Sequence, residues 1–141
     1  MKRQGGGRRG YAVLIAALAL GLGACATSQV SPVASLDVKQ ICVIENPKVR
    51  ASFLDSYRKA LEERGYTVRV LPETARLSSC PVTSTYVAYW WWDIVLYMRH
   101  AQLEIYKDEK LAGRAVFEAG QSRLFTDDGK IKELVAQLLP R

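Results

Sequence analysis

Along residues 39–141 the apolar positions recur at two periods. Gln40 to Glu45 (Gln-Ile-Cys-Val-Ile-Glu) is a short β-branched run that predicts a strand. Asn46-Pro47 then offers a helix N-cap followed by proline at the first helical position. Val49, Phe53, Tyr57, Ala60 and Leu61 follow at helical spacing and make one apolar face. Arg64 and Gly65 fit the end of that helix. Tyr66 to Leu71 alternates apolar with polar and predicts a second strand, so the first thirty residues or so of this region read as a βαβ unit. At the other end, Thr126-Asp127-Asp128 supplies a cap and acids ahead of a final helix whose apolar face is Ile131, Leu134, Val135 and Leu138.

Between them lies a loop, Pro72 to Pro81, and then a long aromatic and β-branched stretch from Val82 to Tyr106. A single strand of that length would run roughly 80 Å, too long for one domain of this size, so a break is placed near Asp93 to Tyr97. Ala101, Leu103 and Ile105 alternate with polar neighbours as a strand with one buried face. Lys107 to Lys110 is the next hairpin turn, although it lacks the glycine a two-residue turn prefers. Ala115 and Phe117 face inward on the last strand. The order β-α-β-β-β-β-α predicts an α+β domain: a two-layer sandwich with a mixed four- to five-stranded sheet and two helices packed on one face. Its core is expected to join Phe53, Tyr57, Leu103, Leu134, Leu138 and Trp90 or Trp92.

Tyr89-Trp90-Trp91-Trp92 stands out within this stretch. On a strand, Thr83, Thr85, Val87, Tyr89, Trp91 and Asp93 share one face, which their hydroxyls and carboxylate mark as the solvent side. Tyr86, Ala88, Trp90, Trp92 and Ile94 share the other, expected to meet the core or its edge. Tyr89 and Trp91 are thereby left as an exposed aromatic pair, either ordinary surface or a candidate binding surface for a partner or glycan.

The amino terminus has a different logic. Lys2, Arg3, Arg8 and Arg9 precede an unbroken apolar run from Tyr11 to Leu22, with Gly23, Ala24 and Cys25 after it. Twelve apolar residues in helix span roughly 18 Å, well short of a ~30 Å hydrocarbon core, so the segment reads as a secretory signal peptide and not a permanent span. Arg8-Arg9 sits in surroundings that match a twin-arginine signal poorly, which favours the general secretory route. Leu22-Gly23-Ala24-Cys25 resembles the lipobox of bacterial lipoproteins, which implies cleavage before Cys25 and its lipidation, with membrane attachment through the acyl chains. The alternative is an ordinary secreted protein with Cys25 there by chance. Ala26, by resemblance to enterobacterial lipoproteins, implies sorting to the outer membrane. Residues 25–38 are small and polar with one proline and read as the lipidated cysteine with a flexible tether, leaving 39–141 as a single domain and 1–24 as the signal.

The export reading changes the meaning of the cysteines and the charge. With Cys25 lipidated, Cys42 and Cys80 remain, and an oxidising compartment favours one disulfide between them, two buried free thiols being the alternative. The net charge is +6, but the first 24 residues carry four of those charges and no acid, leaving about +2 on the rest. That is too little for a basic nucleic-acid-binding field. Hydrophobic residues at 49% and charged residues at 24% are globular values. No catalytic constellation is visible: His100 is the one histidine, and Asp108, Glu109, Asp127 and Asp128 are accounted for by a turn and a helix start. Metal-ligand spacing is also missing, so neither metal nor cofactor is expected.

Several of these residues occur together in an order of their own. Ile41-Cys42-Val43-Ile44 with Asn46-Pro47-Lys48-Val49, Cys80-Pro81 with Thr83-Ser84-Thr85-Tyr86, and Trp90-Trp91-Trp92-Asp93 with Tyr97-Met98 resemble the Sbal-type family of proteobacterial periplasmic lipoproteins across about residues 41–139. The resemblance implies lipoprotein status and the Cys42–Cys80 pair, and brings no catalytic residue. At fold level the pattern is also similar to small envelope α/β domains such as the amino-terminal domain of the Tol-system propeller protein. The function expected from these readings is a non-enzymatic accessory or adaptor lipoprotein at the periplasmic face of the outer membrane, with an envelope protein as partner. The alternative is a small-ligand or glycan binder that uses the aromatic sheet face.

Overall fold

The computed structural model describes residues 25–123 and 125–141, so residues 1–24, read from the sequence as a signal peptide, lie outside the described residues. The elements are β1 (Thr27–Ser31), β2 (Gln40–Ile44), α1 (Ala51–Glu63), β3 (Thr67–Leu71), β4 (Val82–Asp93), β5 (Val95–Lys107), β6 (Lys110–Glu118) and α2 (Asp127–Leu138), with a short 3-10 turn at Leu77–Ser79. They build one six-stranded mixed sheet in the order β1-β6-β5-β4-β2-β3. β2 runs parallel to β3 and β4, and the other neighbours are antiparallel.

α1 and α2 pack on each other and cover one face of the sheet. Phe53, Tyr57, Ala60 and Leu61 from α1 and Ile131, Leu134, Val135 and Leu138 from α2 meet Ile41, Val43, Leu103, Ile105, Ala115 and Phe117 in one core. Each such large side chain contributes about 1.5–3 kcal/mol through loss of water contact. The hydroxyls of Tyr57 and Ser84 enter this core, and both are satisfied. The Tyr57 and Ser84 hydroxyls lie 2.7 Å apart, and Ser84 Oγ also donates to the Glu104 carbonyl at 3.0 Å. Burial pushes the Tyr57 phenol well above its ordinary range, so it stays neutral.

The ends of the elements follow local chemistry, with one exception. Thr126 caps α2, its Oγ1 accepting from the Gly129 amide at 3.1 Å. Gly65, at φ +94°, ends α1 in the left-handed region where a side chain would be strained. Asn46, expected to cap α1, does not: the helix starts at Ala51, with Arg50 at the N-cap position and no side-chain cap. Asn46 instead closes a turn by accepting from the Lys48 amide and binds β4, its amide donating to the Tyr86 hydroxyl and its side chain to the Tyr86 carbonyl. A long-range pairing outcompetes the local cap.

Three further expectations change. The sheet has six strands, because residues 27–31 form an edge strand and not a flexible tether. β1 pairs with β6 from Thr27↔Glu118 to Ser31↔Arg114. Val33 is buried against the core and its amide donates to the Leu138 carbonyl at 2.8 Å, so the segment is held at both the sheet and the end of α2. Small, polar side chains suit an edge strand with one wet face as well as they suit a linker. Second, Thr83 is fully buried, since the 72–81 loop folds over that side of the sheet and Thr83 Oγ1 donates to the Leu77 carbonyl at 2.9 Å. Cys42, paired opposite Thr83, is bonded there to Cys80, which staples the loop down. Third, Trp92 and Ile94 are not in the core, as described next.

Candidate functional site

The longest pairing in the molecule is the β4–β5 hairpin, and its far end leaves the body of the domain. Tyr89, His100, Glu118 and Thr27 form one row across β4, β5, β6 and β1. Beyond this row the register shifts, so that Trp90 faces Met98 and Arg99 is the extra residue of a bulge. The carbonyl of Arg99 accepts from the Ala119 amide at 2.9 Å, which fixes the bulge to the end of β6. Past the bulge the two strands carry Trp91, Trp92, Val95 and Leu96 to a turn at Ile94.

Trp90 secures the base. Its indole N–H donates to Asp127 Oδ2 at 2.7 Å in the first turn of α2, and its ring meets Phe53 edge-on at 6.2 Å between centroids. The Arg50 guanidinium lies over the same ring at 5.4 Å. Both helices therefore hold the hairpin through one side chain. The half-buried Arg123 adds a second clamp, 3.8 Å from the Tyr97 ring centroid and 2.8 Å from the Asp93 carboxylate.

Above that base the side chains are apolar and open to solvent. Trp91 is 57% exposed, Trp92 69% and Ile94 88%, with Val95 and Leu96 also exposed. Trp92 shares the strand face of Trp90 but lies beyond the helix residues that meet Trp90, and Ile94 stands at the turn itself. Ile94 adopts φ +66°. A left-handed conformation costs an L-residue roughly 1–2 kcal/mol, and a β-branched residue there is a true outlier. The β5–β6 hairpin uses the same left-handed region, but with the polar Asp108 and Glu109. The apolar tip is therefore held at an energetic cost that Asn or Gly would avoid.

On the sheet face away from the helices, Tyr89 stacks on His100 with centroids 4.9 Å apart, and His100 Nδ1 meets Glu118 Oε1 at 2.5 Å. Further along that face Glu104 is a hydrogen-bond hub for Tyr106, Arg114 and Thr85. Burial alone would raise its carboxyl, but these donors together outweigh it and hold Glu104 below the usual carboxylate range. Among the described residues no group of three or more His, Cys, Asp and Glu side chains is gathered to hold a metal ion. A cavity of about 160 Å³ between α1 and α2 is lined by Lys132 and Glu63, which pair at 2.6 Å, by Asp128, which accepts from the Ser56 hydroxyl, and by Lys59.

No family model matches the chain, and no curated protein does. Among solved structures it is similar to PelC. A PelC dodecamer from Paraburkholderia phytofirmans superposes with a TM-score of 0.56 at 16% identity, over 80% of this chain and 94% of that one. A variant PelC dodecamer from the same organism gives the same score and identity over 79% and 94%. At that identity the likeness is one of fold.

The residues singled out in the sequence fall into separate places. Cys42 and Cys80 form a disulfide, with Cα atoms 6.2 Å apart. Cys25 is exposed and its thiol is free. Tyr89 and Trp91 are both exposed on one strand face. Trp92, Ile94, Val95 and Leu96 were missed as surface. Their one local signal is a turn, Asp93-Ile94-Val95, that carries apolar side chains where turn residues belong.

Proposed function

We propose that this chain is a lipoprotein of the bacterial cell envelope, acylated at Cys25 and held at the periplasmic face of the outer membrane, where it serves as a non-enzymatic accessory or adaptor. Cys25 carries this reading. It ends the Leu22-Gly23-Ala24-Cys25 motif, and it is exposed and unbonded while Cys42 and Cys80 are paired. Membership in the Sbal-type family is part of the same proposal. The adaptor role draws support from the PelC-like fold, since the similar PelC structures are dodecamers.

Metabolic labelling with an alkyne palmitate in a Gram-negative host tests the anchor. Wild type should be labelled and fractionate with outer membranes, and Cys25→Ser should be unlabelled and keep its signal peptide. An unlabelled, freely diffusing wild type would end the reading. Mass measurement of the detergent-extracted lipoprotein, with and without crosslinking in intact envelopes, tests assembly; a lone monomer in both would remove the adaptor role. A second reading, binding of a small ligand or glycan, rests on the exposed Tyr89 and Trp91 rings. It requires a saccharide that quenches tryptophan emission in the wild type and fails to do so in Trp91→Ala.

A further inference from the structure

The register of the sheet brings the acylation site and the apolar hairpin to the same end of the molecule. Thr27, Glu118, His100 and Tyr89 share one row. Because β1 and β5 both run antiparallel to β6, the chain leaves that row in one direction toward Cys25, Gly120, Met98 and Trp91. Cys25 is two residues from Thr27, hence within about 8 Å of the row. The hairpin continues four residues past it on β4, roughly 13 Å at strand rise. Three strand spacings, roughly 14 Å, separate β1 from β4.

A bilayer that accepts acyl chains at Cys25 therefore faces the hairpin end. With the cysteine at the headgroup level, the tip reaches about 5 Å deeper, the depth at which interfacial apolar side chains settle. The side chains suit that position. Trp92, Ile94, Val95 and Leu96 are apolar and exposed, while Trp91 sits behind them as an interfacial aromatic. Arg50 and Arg99 are exposed nearer the domain, where lipid phosphates would lie, and Arg99 reaches over Trp91 at 5.9 Å. Asp93, the one acid at the tip, is paired with Arg123. The strained Ile94 is a separate observation pointing the same way, for an apolar turn residue is retained where a polar one would fit the backbone better.

We propose that the β4–β5 tip, from Trp91 to Leu96, is a second membrane contact that inserts into the interfacial layer of the same bilayer that holds Cys25. The proposal rests on the lipoprotein reading. Two contacts some 14 Å apart would do what a single acylated residue cannot, fixing the orientation of the domain relative to the lipid surface.

The chain's tryptophans are Trp90, Trp91 and Trp92, so intrinsic emission reports this hairpin alone. The full lipoprotein is reconstituted into vesicles of phosphatidylethanolamine and phosphatidylglycerol, with and without acyl chains brominated near the headgroup. Brominated lipid should quench the emission at least twofold, and aqueous iodide should quench it less than in detergent-free buffer. The double variant Trp92→Asn with Ile94→Asn keeps two reporters and should lose at least half of the bromolipid quenching. Its thermal midpoint should hold or rise, because Asn accepts the left-handed backbone at 94 and both side chains are exposed. Emission blind to bromolipid overturns the proposal, including the case in which iodide is also excluded, which would place the tip against another copy of this chain. Intact mass of the reconstituted protein reports acylation separately. An unacylated chain would refute the lipoprotein reading, while its bromolipid quenching would still decide the hairpin.

Discussion

Replacing Gly113 by alanine sets two accounts of residues 27–33 against each other with opposite signs. Gly113 lies in β6 on the covered face, where a Cβ would meet Val33 Cγ2 at 2.6 Å, the Ser31 carbonyl oxygen at 2.9 Å and the Val33 amide nitrogen at 3.0 Å. Two of those neighbours are backbone atoms, and the Val33 amide is bonded to Leu138. The methyl therefore has to push the segment after β1 off the sheet. Overpacking of this kind costs about 1–3 kcal/mol. Were residues 26–38 a loose tether, nothing would occupy that space, and alanine would gain about 0.5–1 kcal/mol over glycine in a strand. Urea unfolding followed by tryptophan emission measures the difference, and limited proteolysis localises it. The packed strand requires a lower midpoint together with faster cleavage within 27–36. A midpoint equal to or above that of the wild type would show that β1 and Val33 are not seated as described.

Other outcomes follow from the staple and the polar hub. Removing the Cys42–Cys80 bond, as Cys42→Ser with Cys80→Ser, opens a 38-residue loop and should lower stability by about 4 kcal/mol in the chain-entropy account, read as a fall in urea midpoint that reduction of the wild type reproduces; equal midpoints would refute it. Glu104 is held below its ordinary value of 4.5, so the folded state binds this proton less tightly than the unfolded one. The stability it contributes is complete above the unfolded value and is lost as the pH falls through the folded one. Glu104→Gln should therefore lower the urea midpoint at neutral pH and flatten its decline below about pH 4.5, whereas a variant with an unchanged acid slope would deny Glu104 that role.

Much of the domain could be read from short-range pattern because short-range physics decided it. The α1 face from Phe53 to Leu61, the α2 face, the capping Thr126, the stop at Gly65 and the inward set Leu103, Ile105, Ala115 and Phe117 are periodic or local features, and the structure places them as expected, whereas Val49 is buried just before α1 and not on it. Asn46 was misread because its partner, Tyr86, lies forty residues away. Thr83 was misread because its hydroxyl is satisfied by a loop folded back over the sheet.

The amino acids alone determined which faces seek the core, where α1 ends and where α2 begins, and which two cysteines are left to pair when Cys25 is set aside. Tertiary structure decided where those faces stop being covered and what lies beside what. Trp90 and Trp92 share a strand face and differ by two residues, yet one reaches both helices and the other passes beyond them. Thr27 and Tyr89 stand 62 residues apart in the chain and fall in one row because β1 closes the far edge of the sheet. Strand periodicity fixes the side to which a residue points, but the length of cover and the choice of neighbouring strand are set by long-range pairing, for which no local signal exists.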